Sequence, residues 1–284
     1  MRSDIDLPAP AANALVKGEL NVNITSNGIS LFVDQKGKGE LALVFLHYWG
    51  GSSRTWKYVT GELATSYQTI AIDFRGWGQS EAPNVGYTLA NMSSDIEGVI
   101  KTLNPRRYVL VGHSMGGKIA QLMASLRPAG LAGLVLVAPS PPTPMNLPAA
   151  VRESMASAYS SREAVEATID NVLTAKPLSA EIREQVIKDS LKGAPTAKFA
   201  WPQHMSQEDI SGHIARIAVP TVVIAGEQDK VDTLDVLRTE LMVRIPRAEM
   251  HVLAGTGHLS MLESPREVAA LIRDFCENLT RRNV

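Results

Sequence analysis

The chain has 284 residues, 45% of them hydrophobic, which is enough to bury a large core and somewhat long for one average domain, so it reads as a single core carrying an insertion. Its 28 Lys and Arg against 29 Asp and Glu give a net charge of -1, which supplies no large excess of positive charge to hold a polyanion and argues against nucleic acid as a partner. The single cysteine, Cys276, excludes an internal disulfide, and its apolar helical surroundings read as those of a packing thiol.

In chain order, Met1 to Pro10 carries Asp4 and Asp6 without an apolar core of a signal sequence, and no apolar run approaches the roughly eighteen residues of a membrane span. A cytoplasmic protein away from membranes is expected. Leu20 to Val33 alternates polar and apolar residues around Asn27-Gly28, which predicts a hairpin of two antiparallel edge strands. After Gly37-Lys38-Gly39 come short apolar runs: Leu41 to Leu46, Thr69 to Ile72, Tyr108 to Val111, Leu134 to Val137, Thr221 to Ala225 and Met250 to Leu253. Such runs suit parallel strands covered on both faces. Helical patterns lie between them, near Trp56 to Ala64, Asn91 to Leu103, Met115 to Leu126, Leu234 to Val243 and Pro265 to Leu279. The alternation predicts an α/β protein with a mostly parallel eight-stranded sheet and helices on both faces. One interval, Pro139 to about Gly212, holds helical patterns and prolines but no convincing strand. It is far longer than an ordinary connection and reads as a helical cap over residues 141–212, with the core formed by 1–140 and 213–284.

Chemistry concentrates at Gly112-His113-Ser114-Met115-Gly116-Gly117, where an apolar run ends and a helical pattern begins. A G-x-S-x-G match gains meaning from that strand and helix: glycines permit a sharp turn that lifts a hydroxyl clear of the sheet, making Ser114 the candidate nucleophile. The following helix points free N–H groups at it, and Met115 supplies one backbone donor for an oxyanion. A serine hydroxyl needs an imidazole base, itself oriented by a carboxylate. Of the six histidines, His258 in Gly255-Thr256-Gly257-His258 follows the last apolar strand, at the carboxyl edge where open α/β sheets place their sites. His251 falls inside that strand, His204 and His213 in the cap or its exit, and His113 on the elbow itself, pointed away from the role of base. Asp229 leaves the same edge one strand earlier and is the candidate acid; Glu227 is too close to the strand, and Asp232 and Asp235 fall at or in the next helix. The turn Ala138-Pro139-Ser140 carries no carboxylate of its own. A second oxyanion donor is expected from the loop His47-Tyr48-Trp49-Gly50-Gly51.

These ordered motifs, together with Asp73-Phe74-Arg75-Gly76-Trp77-Gly78-Gln79-Ser80, resemble the α/β-hydrolase family over nearly the whole chain. The resemblance implies the α/β-hydrolase fold and a serine hydrolase whose second oxyanion donor is the Trp49 amide. It also implies that Arg75 holds its loop rather than substrate. The chain departs from the family where Tyr48 stands in place of a usual glycine, so Tyr48 and Trp49 either line the substrate site or pack under the cap. Relatives that open epoxides or break carbon–halogen bonds carry aspartate where this chain has Ser114. The segment Gly257 to Pro265 is similar to esterases, enol-lactone hydrolases and perhydrolases, whereas carbon–carbon bond hydrolases more often have tryptophan after the histidine. The resemblance therefore implies cleavage of a small to medium, largely apolar ester or lactone through an acyl-enzyme, without metal or organic cofactor. The alternatives are a carbon–carbon bond hydrolase, a perhydrolase, or a receptor with little turnover. Tyr48, His113, Tyr159 and Trp201 are the candidate pocket lining, with Met145, Met155, Phe199 and Met205 as further apolar cap positions. A small-molecule substrate is the expected partner, in a monomer or homodimer.

Overall fold

The computed structural model describes residues 20–281, and the N-terminal segment read above for export signals lies outside them. Eight strands form one sheet: β1 (Leu20–Ser26), β2 (Ile29–Lys36), β3 (Leu41–Leu46), β4 (Gln68–Ile72), β5 (Arg107–His113), β6 (Leu131–Val137), β7 (Thr221–Gly226) and β8 (Glu249–Leu253). Asn27 and Gly28 both take positive φ, 49° and 78°, the mirror-image turn whose twist suits a two-residue hairpin, and Ser26 pairs with Ile29 across it.

The strand order is β1-β2-β4-β3-β5-β6-β7-β8. β2 pairs antiparallel with both β1 and β4, so of the hairpin strands only β1 is an edge, and from β4 to β8 every pairing is parallel. β3 and β7 are buried along their full length, as expected of strands covered twice. β8 differs from that expectation: it closes the far edge, and His251 and Val252 are exposed. Helices Lys57–Leu63 and Pro265–Arg281 pack against each other and the sheet, and helices Leu89–Leu103 and Met115–Ser125 form a second such pair.

Between β6 and β7 the described residues contain no strand, only short helices from Ala149–Ser157 through Ser211–Ile214. The two stems of this excursion meet beside the core: Met145 N–H donates to Ser206 O at 3.0 Å and Ile210 N–H to Pro142 O at 2.9 Å. This crossing lies just inside both predicted cap boundaries. The parallel strands thus direct their carboxyl ends, with the loops that follow β3, β5, β7 and β8, toward the helical excursion.

Candidate active site

Ser114 occupies the turn between β5 and the helix Met115–Ser125, with φ 51° and ψ −116°. For a residue with a Cβ this backbone costs on the order of 1–3 kcal/mol and persists only where neighbours enforce it. The enforcement is visible. Ser114 N–H is shared between Val137 O (3.3 Å) and Ala138 O (3.2 Å), and its carbonyl accepts Lys118 N–H (3.0 Å) and Ser140 N–H (3.2 Å). The flanking glycines are required by contact: a Cβ on Gly116 would stand 2.5 Å from Leu46 O, and one on Gly112 2.5 Å from Gly116 O.

Asp229 and His258 meet across the ends of β7 and β8, where His258 Nδ1 and Asp229 Oδ2 are 2.9 Å apart and both side chains are buried. Asp229 Oδ1 is held separately by the N–H groups of Val231 (2.8 Å) and Asp232 (3.1 Å), which fixes the carboxylate plane. An ionised carboxylate only accepts, so His258 Nδ1 is the donor and Nε2 keeps its lone pair. Burial pulls the imidazole pKa down, but the charge and hydrogen bond of Asp229, with Asp232 and Glu263 further off, outweigh it and raise the value above 6.5. His113 ties this ring to the elbow: its Nε2 lies 2.9 Å from His258 O, and the two rings are 4.8 Å apart. Among the described residues the Ser114 hydroxyl makes no hydrogen bond, and catalytic hydrogen bonds of this kind often form only once substrate is bound.

In the loop after β3, His47 Nε2 accepts Phe74 N–H at 3.1 Å, which leaves Nδ1–H to donate to Tyr48 O at 2.7 Å. Burial lowers the His47 pKa to about 4, so the ring is neutral, as that pattern demands. Neither the Trp49 nor the Met115 N–H donates to a backbone acceptor outside the regular elements of the described residues, and Met115 begins a helix, where first-turn donors are free.

The four candidate pocket residues are all buried in packing. The Tyr48 ring is buried 5.2 Å from that of His113. Tyr159 stacks on Trp49 with ring centres 4.3 Å apart and donates its hydroxyl to Trp49 O at 2.9 Å. Trp201 is part of the apolar core. Arg75 forms a two-pronged ion pair with buried Asp95, 2.6 Å at each prong, and donates to Gly86 O, in keeping with a loop-holding role.

Sequence reading weighed Asp232 as the acid and set it aside as lying at the next helix. It is 1% exposed rather than solvated, and its Oδ2 accepts the Ser140 hydroxyl at 3.2 Å while Oδ1 has no partner. The turn after β6 therefore does receive a carboxylate, from another loop. Burial, opposed by the charge of His258, pushes the Asp232 pKa up to about 7. Lys118, also unanticipated, is fully buried, with Nζ on Thr143 O (3.0 Å) and Ser206 O (3.4 Å). Spacing from Ser114 on the elbow helix was the available signal, but an isolated Lys in a helical pattern reads as solvated. No group of three His, Cys, Asp or Glu side chains among the described residues is placed to hold a metal.

A sheet in this order, with a serine on the elbow after β5 and a buried Asp–His pair beyond β7 and β8, defines a hydrolase architecture. The family model of the alpha/beta hydrolase family matches residues 43–271, and the chain belongs to that family. Among its relatives is the AB hydrolase superfamily protein YisY of Bacillus subtilis, 28% identical over 261 residues, covering 88% of this chain and 97% of the relative. Another is the 2-hydroxy-6-oxononadienedioate/2-hydroxy-6-oxononatrienedioate hydrolase of Paraburkholderia xenovorans, 26% identical over 271 residues and covering 87% and 90%. The structure resembles in fold an esterase from Exiguobacterium antarcticum, with TM-score 0.82 and 21% identity over 91% of this chain and 100% of that one. No described helix is long and apolar enough to cross a membrane.

Proposed function

We propose that the protein is a serine hydrolase of small, largely apolar carboxylic esters or lactones, acting in the cytoplasm through an acyl-enzyme on Ser114. The buried His258–Asp229 hydrogen bond of 2.9 Å at the elbow's edge of the sheet carries this reading, because it leaves Nε2 as the free base. The Ser114 Oγ attacks the substrate carbonyl as its proton passes to Nε2, and the N–H groups of Trp49 and Met115 take the charge that develops on oxygen. The imidazolium then protonates the departing alkoxide. Water, deprotonated by the same nitrogen, releases the acid. Residues 141–212 act as a lid that excludes bulk water from these steps.

Turnover of short chromogenic esters and lactones by wild type, abolished in Ser114→Ala, tests the reading; equal activity of the two proteins overturns it. Trp49→Ala keeps its backbone donor and is expected to change selectivity more than rate. The relative from Paraburkholderia xenovorans favours a second reading, cleavage of a carbon–carbon bond beside a ketone, and a vinylogous diketone in the same panel separates the two. A compound that raises the melting temperature without turnover by either protein supports a receptor instead.

A further inference from the structure

Consecutive peptide planes in the loop after β3 are held by donors from two different places. The Tyr48 carbonyl accepts His47 Nδ1–H at 2.7 Å and Gly51 N–H at 3.0 Å, both from the loop itself. The Trp49 carbonyl accepts the Tyr159 hydroxyl at 2.9 Å, and the Gly50 carbonyl accepts the Ser190 hydroxyl at 3.0 Å. Tyr159 and Ser190 both belong to the helical excursion, 110 and 140 residues further along the chain. A planar trans peptide sets N–H opposite to C=O, so fixing Tyr48 O aims the Trp49 N–H away from His47, and fixing Trp49 O stops the next plane from turning. That plane leads into Gly50 at φ 103°, a residue with no side chain to resist rotation. The Tyr159 ring lies directly on it, since a Cβ at Gly50 would stand 2.5 Å from the ring.

We propose that Tyr159 and Ser190 are positioning residues for the oxyanion loop: His47 and Gly51 aim the Trp49 donor, and the docked helical excursion keeps that aim by locking the two peptide planes that follow. This rests on the serine-hydrolase reading above. Its consequence is that docking of the helical excursion strengthens activation of the carbonyl, which couples exclusion of water to the chemical step. Tyr159 then acts through the backbone of Trp49 and not by touching substrate.

Tyr159→Phe keeps the ring and its stacking on Trp49 and removes only the hydroxyl; Ser190→Ala removes the other donor. A fluorophosphonate reports on the site without a known substrate: the Ser114 oxygen bonds to phosphorus, fluoride leaves, the serine proton passes to His258, and the charged phosphoryl oxygen requires the same N–H donors. The rate of phosphonylation is expected to fall about tenfold in Tyr159→Phe and further in the double variant. The kcat for the best ester should fall by the same factor with KM within about twofold, as for an interaction made only in the transition state. Wild-type phosphonylation rates in both variants overturn the proposal, and so does a raised KM at unchanged kcat, which would make Tyr159 a substrate contact. Should Tyr159→Phe not fold, Ser190→Ala carries the same measurements. Failure of the underlying reading is distinguishable, because Ser114→Ala would then label as fast as wild type, and that result overturns both.

Discussion

In the proposed reaction His258 takes the Ser114 proton only when its own Nε2 is bare, and its neighbours set the pH at which that holds. With the imidazole pKa raised above 6.5, kcat/KM should climb with pH along a limb centred above that value. Asp232 is one of the negative charges that raise it, so Asp232→Asn should move the limb to lower pH; a limb that stays or moves upward contradicts the arrangement. The same residue makes a stability prediction of definite sign. Its folded pKa of about 7 stands above the ordinary 3.8, so its contribution to stability is fully present below the latter and is lost as pH rises through 7. Asp232→Asn removes that dependence, and melting curves should show it gaining on wild type as pH rises from about 4 to about 7, with little further gain above. For the proposed reacting groups, Ser114→Ala and His258→Ala should each lower kcat by on the order of 10⁴ to 10⁶ and Asp229→Asn by about 10⁴, with little further loss in double mutants. Additive losses in steady-state kinetics would show that the three do not work as a unit.

At the scale of elements, the Arg75–Asp95 pair joins the loop after β4 to helix Leu89–Leu103, and Asn27 and Ser26 of the β1–β2 turn bond the same aspartate. Removing Arg75 would leave the Asp95 carboxylate buried and uncompensated. Arg75→Ala should therefore cost about 3–5 kcal/mol in urea unfolding, and adding Asp95→Asn should recover part of the loss. No recovery would mean that the arginine acts by packing alone. The strands themselves were legible in the sequence, since a run such as Leu41 to Leu46 is buried along its whole length and needs no partner to be recognised. Whether a strand is central or at an edge was not legible: Met250 to Leu253 has the apolar character of its neighbours yet closes the sheet, and β2 gains a second partner that its alternation does not announce.

For the whole molecule, Lys118 links the elbow helix to both stems of the helical excursion through Thr143 O and Ser206 O. Lys118→Met would leave two carbonyls without their charged donor, and amide exchange at Met145 and Ile210, which close the stems, should quicken relative to the central strands. Unchanged exchange there would show that the stems hold without the ammonium.

What the sequence determined by itself was the kind and order of the elements and the strand-end positions of Ser114, Asp229 and His258, because hydrophobic period, turn residues and strand-to-loop position are properties of neighbouring residues. Only the tertiary structure decided which polar groups lose water and which partners replace it. Asp232 stands at the next helix in the sequence until the fold buries it and brings the Ser140 hydroxyl to it, and nothing near Tyr159 in the sequence announces that its hydroxyl meets Trp49 O. Such contacts join segments some hundred residues apart. No local pattern encodes them, since burial and hydrogen bonding are set by whichever distant segments the fold brings together.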